Sequence, residues 1–301
     1  MANKTKMNLS AGIASVSVAT VLVGLKLWAL GETGALSVAA SLADSAMDLM
    51  VSLGGLAAIA YAARPADDDH TYGHTSAEDL AALGQSLFIL VSAGVIAWAA
   101  VARLLSPAPT ELMQEGRGMV VMAVSIALTL GLVVWQRHVA RKTGNRVVKA
   151  DSLHYLGDLL PNIGAILSLW ASAAFGLGQI DSVVALGAAV MLAVGALRIF
   201  KGAWDALMDR AAPDEVVQNV EKIVAEFPGV HGFHDLKTRM AGSKTFVTVH
   251  IELDGEKSLN ETHATAAALR RAILFALPDS DVMIHQDPVG VTPHPDDPSR
   301  R

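Results

Sequence analysis

Residues 41–50, SLADSAMDLM, put Asp44 and Asp48 into a run from Ala35 to Ala63 that holds no other ionised side chain. Four apart on a helix, the two carboxylates project from one face. A second pair with the same spacing, His154 and Asp158, lies in HYLGD at 154–158. Counting ~1.5 Å per residue puts Asp44 about 14 Å from the outer end of its helix and Asp158 about 15 Å from the inner end of its own. In a hydrocarbon core of ~30 Å both reach the midplane. Three carboxylates and one imidazole at one level form an N/O site suited to a divalent cation. The alternative is pairing with a basic residue of another helix, because a lone acid there costs at least ~2.5–3.5 kcal/mol. No Lys or Arg is central in the sequence; Lys26 and Arg198 fall near span ends. A single buried His is ordinarily structural, but two matched pairs favour a metal.

The elements that must carry these pairs are membrane spans. Of 301 residues 52% are hydrophobic and 17% charged, with a mean hydropathy of +0.42, the composition of a polytopic membrane protein. Six stretches meet the need for ~20 mostly apolar residues: about 9–30, 35–63, 78–104, 117–139, 148–175 and 179–203. The basic start followed by an apolar stretch resembles a signal peptide, but that stretch runs to Leu30, so a retained first span is expected. Lys4, Lys6, Arg64, Arg137, Arg141, Lys142, Arg146, Lys149, Lys201 and Arg210 fall on one side, against Arg103, Arg117 and a snorkelling Lys26 on the other. The positive-inside rule then puts both termini in the cytoplasm. The five tryptophans, at 28, 98, 135, 170 and 204, sit near span ends as an interfacial belt.

Several functions are excluded or disfavoured. A net charge of −6 offers no footprint for nucleic acid. The chain has no cysteine, so a metal must be held by His and carboxylate. No Walker motif is present to supply nucleotide energy. An intramembrane metallohydrolase would carry H-E-x-x-H and an open coordination position; the motif is missing, so no enzyme activity is expected.

After Arg210 the pattern changes. PDEVVQNVEKIVAEF has a helical apolar stripe, TFVTVHIEL alternates as a strand, LNETHATAAALRRAILFAL is a second helix and DVMIHQDPV a further strand. With a strand at about 233–240 the order is αββαβ. The fold class is thus an α-helical polytopic membrane protein with six transmembrane helices plus a small cytoplasmic α+β domain. The expected divisions are 1–210 for the membrane domain, 211–291 for the cytoplasmic domain and 292–301 for a disordered tail.

Two polar clusters remain. ADDDHTYGH spaces Asp67, His70 and His74 as D-x-x-H-x-x-x-H in the loop between spans two and three, which could converge on one ion or simply be solvated. His285 and Asp287 are two apart on a strand and share a face, and His250 points away from the Val247/Val249/Ile251 face.

With SLADSAMDLM, RPADDDHTYGHTSAEDLAALGQSLFI, ADSLHYLGDLLPN, ALMDRAAPDE, GFHDLKTRMAG, VHIELDG and IHQDP in fixed order, the chain resembles the cation diffusion facilitator family, most closely its bacterial zinc and ferrous-iron efflux branch. The resemblance implies a homodimer in the bacterial inner membrane that exports divalent cations in exchange for protons, with a metallochaperone-like cytoplasmic domain. It implies a transport site at Asp44, Asp48, His154 and Asp158, and a loop zinc site at Asp67, His70 and His74. It also implies a binuclear zinc site joining the protomers at His234, His250, His263, His285 and Asp287. Zn²⁺ is the expected ion, transported and resident, with Fe²⁺, Cd²⁺, Co²⁺ and Mn²⁺ as alternatives. In the family's close members a lysine two residues after the second loop histidine pairs with an aspartate at the end of span six; here Ser76 replaces it while Asp209 is retained. His138, His231 and His294 match no family position. A membrane-bound metal sensor and a passive cation channel are the rival functions.

Overall fold

The computed structural model describes residues 2–33, 36–105, 116–175 and 180–290. The expected tail at 292–301 lies outside them. So do the side chains of Arg103, Arg117 and Trp170, and of the small-residue stretch 162–168.

The first unit, Ala2–Trp204, is built from six long helices: α1 (Ala2–Thr33), α2 (Leu36–Ala62), α3 (Ser76–Leu105), α4 (Gly116–Thr143), α5 (Arg146–Phe175) and α6 (Ile180–Leu207, whose end passes the unit's limit). Among the described residues, four of these helices contain stretches long and apolar enough to cross a bilayer: Asn3–Gly31, Asp44–Ala62, Ser76–Ala102 and Ser182–Leu207. In its described half α5 carries Arg146, Lys149, Asp151 and Asp158, and α4 ends in a basic turn with Arg141 and Lys142. Several helices overrun the expected spans because a helix does not stop where the hydrocarbon does. α4 continues to Thr143, where its cationic last turn suits the negative end of the helix dipole. Gly144, with φ 75°, then closes it, and Asn145 Oδ1 accepts the Val148 amide at 3.0 Å to start α5. That two-residue link makes α4 and α5 a tight hairpin.

Small residues set how closely the helices approach. A Cβ on Gly12 of α1 would stand 2.9 Å from Leu56 Cδ1 of α2, and one on Gly195 of α6 would stand 2.8 Å from Leu153 Cδ2 of α5. In the GGLAAIA stretch of α2 only Gly55 is so confined, by Gln85 and Val147; Gly54 faces open space. Ala11, Ile59, Val139, Val147 and Val148 pack α1, α2, α4 and α5 together. Ile89, Ala93, Leu192 and Ala196 pack α3 on α6. Arg146 at the start of α5 pairs with the fully buried Asp79 of α3.

The second unit begins at Asp205, and its described elements are α7 (Asp214–Ala225), β1 (Gly232–Ala241), β2 (Lys244–Leu253), α8 (Leu259–Ala276) and β3 (Ser280–Pro288). The αββαβ order read from the sequence is the order observed. The sheet runs β1-β2-β3. β1 and β2 form an antiparallel hairpin, and β3 returns parallel to β2 after α8. Val247, Val249, Ile251 and Leu253 alternate inward from β2 against Val220 and Val224 of α7 and Leu269 and Ile273 of α8. Ser258 and Glu261 form a reciprocal capping box that starts α8.

Leu269→Ala removes a fully buried side chain from this core and is expected to lower the cytoplasmic unit's stability by about 2–5 kcal/mol. Ser258→Ala loses one cap and is expected to cost about 1 kcal/mol. Urea unfolding monitored on this unit checks both values and their order.

Candidate functional site

α2 and α5 meet where the sequence puts its acid pairs. His154 Nε2 lies 3.1 Å from Asp48 Oδ1 and 4.0 Å from Asp158 Oδ2. One donor atom from each of Asp48, His154 and Asp158 falls within 4.8 Å of the others. Tetrahedral donors at Zn-type bond lengths stand about 3.3 Å apart, so this trio is close to closing on one ion. Asp48 and His154 are 8% and 7% exposed. Asp44 is outside the trio but lines the same cavity, of about 580 Å³, one helical turn along α2.

The imidazole is held from several sides. Phe88 of α3 meets its ring edge-on with centroids 5.6 Å apart. The next residue, Tyr155, is 1% exposed, and its hydroxyl lies 2.8 Å from Ser52 Oγ on α2. Ser15 of α1 joins by donating to Ser52 Oγ at 2.8 Å. One turn before His154, the buried Asp151 accepts from Gln136 Nε2 of α4 at 2.5 Å. These bonds tie α1, α2, α4 and α5 around the trio.

Lys26 corrects the sequence reading, which sets it near a span end as a snorkelling residue. Its Nζ donates to Ser45 Oγ at 2.6 Å, and it lines the cavity with the carboxylates. The sequence signal was present: Lys26 is the only ionised residue between Met7 and Gly31.

The loop between α2 and α3 brings Asp67, His70 and His74 together. Asp67 Oδ1 accepts the His70 amide at 2.7 Å and lies 3.1 Å from His70 Nδ1, while Asp67 Oδ2 lies 3.2 Å from His74 Nε2. His74 Nδ1 stands 3.1 Å from the Pro65 carbonyl. A proton on Nδ1 directed at that carbonyl leaves the Nε2 lone pair facing Asp67, the arrangement in which ligating histidines are oriented.

In the cytoplasmic unit the sheet register assembles the third cluster. His234 pairs with His250 across β1 and β2; His250 pairs with His285, and Glu252 with Asp287, across β2 and β3. His234, His250 and Asp287 converge, with His250 Nδ1 3.1 Å from Asp287 Oδ2. His285 Nε2 lies 3.2 Å from the other oxygen of Asp287. His263 is exposed on α8 and does not enter the cluster within one chain. The sequence reading missed two neighbours. Glu252 Oε1 lies 3.4 Å from His234 Nδ1, and Asp235 Oδ2 lies 3.8 Å from His250 Nε2. Glu252 was findable, since it is two residues from His250 on the same strand face. Asp235 was not: it sits in a bulge between His234 and Lys237 with φ 48°, and such bulges re-aim a side chain.

Asp209, expected as the remnant of a charge interlock, has φ 55° and accepts from Arg239 Nη1 at 3.1 Å. Arg210 pairs with Asp205.

Two family models match the chain: the cation efflux transmembrane domain over residues 12–208 and the cation efflux protein cytoplasmic domain over 212–289. The cation-efflux pump FieF of Citrobacter koseri is 41% identical over 94% of this chain and 93% of its own length. The pump of the same name from Cronobacter sakazakii is 42% identical over the same shares. A solved metal-bound C-terminal domain of the CzcD transporter from Thermotoga maritima is 30% identical, covers 26% of this chain and 93% of that one, and has a TM-score of 0.26.

The amide of His70 and its Nδ1 both hold the Asp67 carboxyl below the usual aspartate range, the amide most strongly. A lowered value means that the loop's hydrogen bonds persist through neutral pH and are lost only as the pH falls through that value. NMR titration of the metal-free protein is expected to show Asp67 and the His70 amide moving together below the ordinary aspartate midpoint; a midpoint at the ordinary value contradicts the geometry.

Proposed function

We propose that this chain, which belongs to the cation efflux family, is a proton-coupled exporter of divalent metal cations. The observation that carries the reading is the trio Asp48, His154 and Asp158, drawn from two helices to within reach of one ion, with Asp44 on the same cavity. The chain is a transporter rather than an enzyme, in keeping with relatives of nearly equal length named as efflux pumps.

In the proposed cycle the cation enters from the cytoplasm, replaces protons on the carboxylates and imidazole, and is released outside when protons return. Ligands must be proton-free to bind metal, so loading and protonation oppose each other. An imidazole changes charge near neutral pH, which suits His154 to the exchange. Zn²⁺ is the proposed cargo, with Fe²⁺ as the alternative by likeness to the family; imidazole and carboxylate donors accept either. Residues 1–210 form the membrane domain, with both termini in the cytoplasm as the loop charges require, in a bacterial inner membrane. Residues 211–291 form a cytoplasmic domain through which two copies pair.

The cytoplasmic cluster holds resident zinc. His234, His250, His285 and Asp287 supply it from one protomer, and exposed His263 is available to the partner. Occupancy there biases the dimer towards its transport-competent arrangement, a population shift set by differential affinity. The loop site at Asp67, His70 and His74 holds a further ion beside the cytoplasmic ends of α2 and α3.

In reconstituted vesicles with an imposed pH gradient, Asp158→Ala is expected to abolish Zn²⁺ uptake while the protein remains a folded dimer. Full uptake by this variant sinks the assignment, and flux insensitive to the pH gradient identifies a passive channel. Chelating the cytoplasmic zinc, or replacing His250 by Ala, is expected to change the distance between spin labels on the two protomers and to slow transport. Unchanged distance and rate leave that zinc a purely structural role.

A further inference from the structure

Lys26 stands among the groups that would hold the cargo. Its ammonium is turned towards Ser45, the chain neighbour of Asp44, at 2.6 Å. Ser45 is buried to 2% exposure. A lysine that merely snorkels carries its charge to the headgroups; this one lines the same cavity as Asp44, Asp48, His154 and Asp158.

We propose that Lys26 is a specificity-determining residue that sets the charge of the transport site to match a divalent ion. The inference rests on the reading of Asp44, Asp48, His154 and Asp158 as that site. Asp44, Asp48 and Asp158, the carboxylates that line the cavity, present a charge of −3 when ionised; with the ammonium on the same cavity the lining presents −2. A doubly charged ion then brings the loaded cavity to neutrality, the state least costly inside a membrane. Without Lys26 the site over-attracts the ion and holds it too long. The resident cation thus trades affinity for release.

The test is proteoliposome uptake of Zn²⁺ by the full-length protein under a fixed pH gradient, read as KM and kcat. Lys26→Met is expected to lower KM by about tenfold and to lower kcat at least as much, because release slows. Lys26→Gln provides the same reading if the Met variant does not fold. Lys26→Arg, which keeps the charge, is expected to stay within about threefold of the parent on both constants. Ser45→Ala breaks the tie between α1 and α2 but keeps the charge, so it is expected not to lower KM. An unchanged or raised KM in the neutral variants, or equal effects of Lys26→Met and Ser45→Ala, overturns the proposal in favour of a structural tie. Asp158→Ala in the same assay separates the two failures. If it is inactive while Lys26→Met keeps its KM, only the role of Lys26 falls; if it transports fully, the site itself falls.

Discussion

A carboxylate held inside a membrane has no water to solvate it, so it must meet a cation or a proton. This constraint organises the helical unit. It explains why His154 of α5 stands 3.1 Å from Asp48 on α2 and 4.0 Å from Asp158 on its own helix. It also explains why the surrounding helices are tied by buried hydroxyls rather than by apolar contact alone. The Ser15, Ser52 and Tyr155 bonds anchor α5 to α1 and α2 at the residue next to the imidazole. The close approaches at Gly12, Gly55 and Gly195 let the helix backbones come near enough for short acidic side chains to converge. In this bundle packing and chemistry are one requirement.

The three clusters solve one geometric problem with three periodicities. On helices, partners four apart share a face, and two such pairs need only one helix contact to meet. In the loop, the turn at Asp67–His70 is closed by the carboxylate that also faces the two imidazoles. In the sheet, strand register does the work: His234, His250 and His285 stand in one row across three strands, with Glu252 and Asp287 in the next row of the same face. Each arrangement is rigid because it uses backbone hydrogen bonding, with no need for long flexible side chains to find one another.

Much of this was legible in the sequence because burial and period are local properties. The six helices, the αββαβ order and the inward face of β2 all follow from apolar spacing. What depends on side-chain reach or on pairing between distant segments was not legible. Lys26 was judged by the position of its backbone, near a span end, whereas its long side chain brings the ammonium to Ser45 and the cavity. Asp235 enters its cluster through a bulge that no spacing rule announces. Asp209 meets Arg239 of β1, a residue 30 positions away that only the fold brings close. The far end of α4 passes the expected span for another reason: apolarity reports where the bilayer ends, while helical hydrogen bonding continues to Gly144.

The proposed transport site requires α2 and α5 to hold one divalent ion jointly. The most direct measurement is an anomalous-scattering map of the zinc-soaked protein. A peak is expected between Asp48, His154 and Asp158, with donor distances of about 2.0–2.2 Å, and it disappears when the soak is repeated at acid pH. Zinc density confined to the loop and the cytoplasmic sheet under conditions that support transport, with none between α2 and α5, would contradict it.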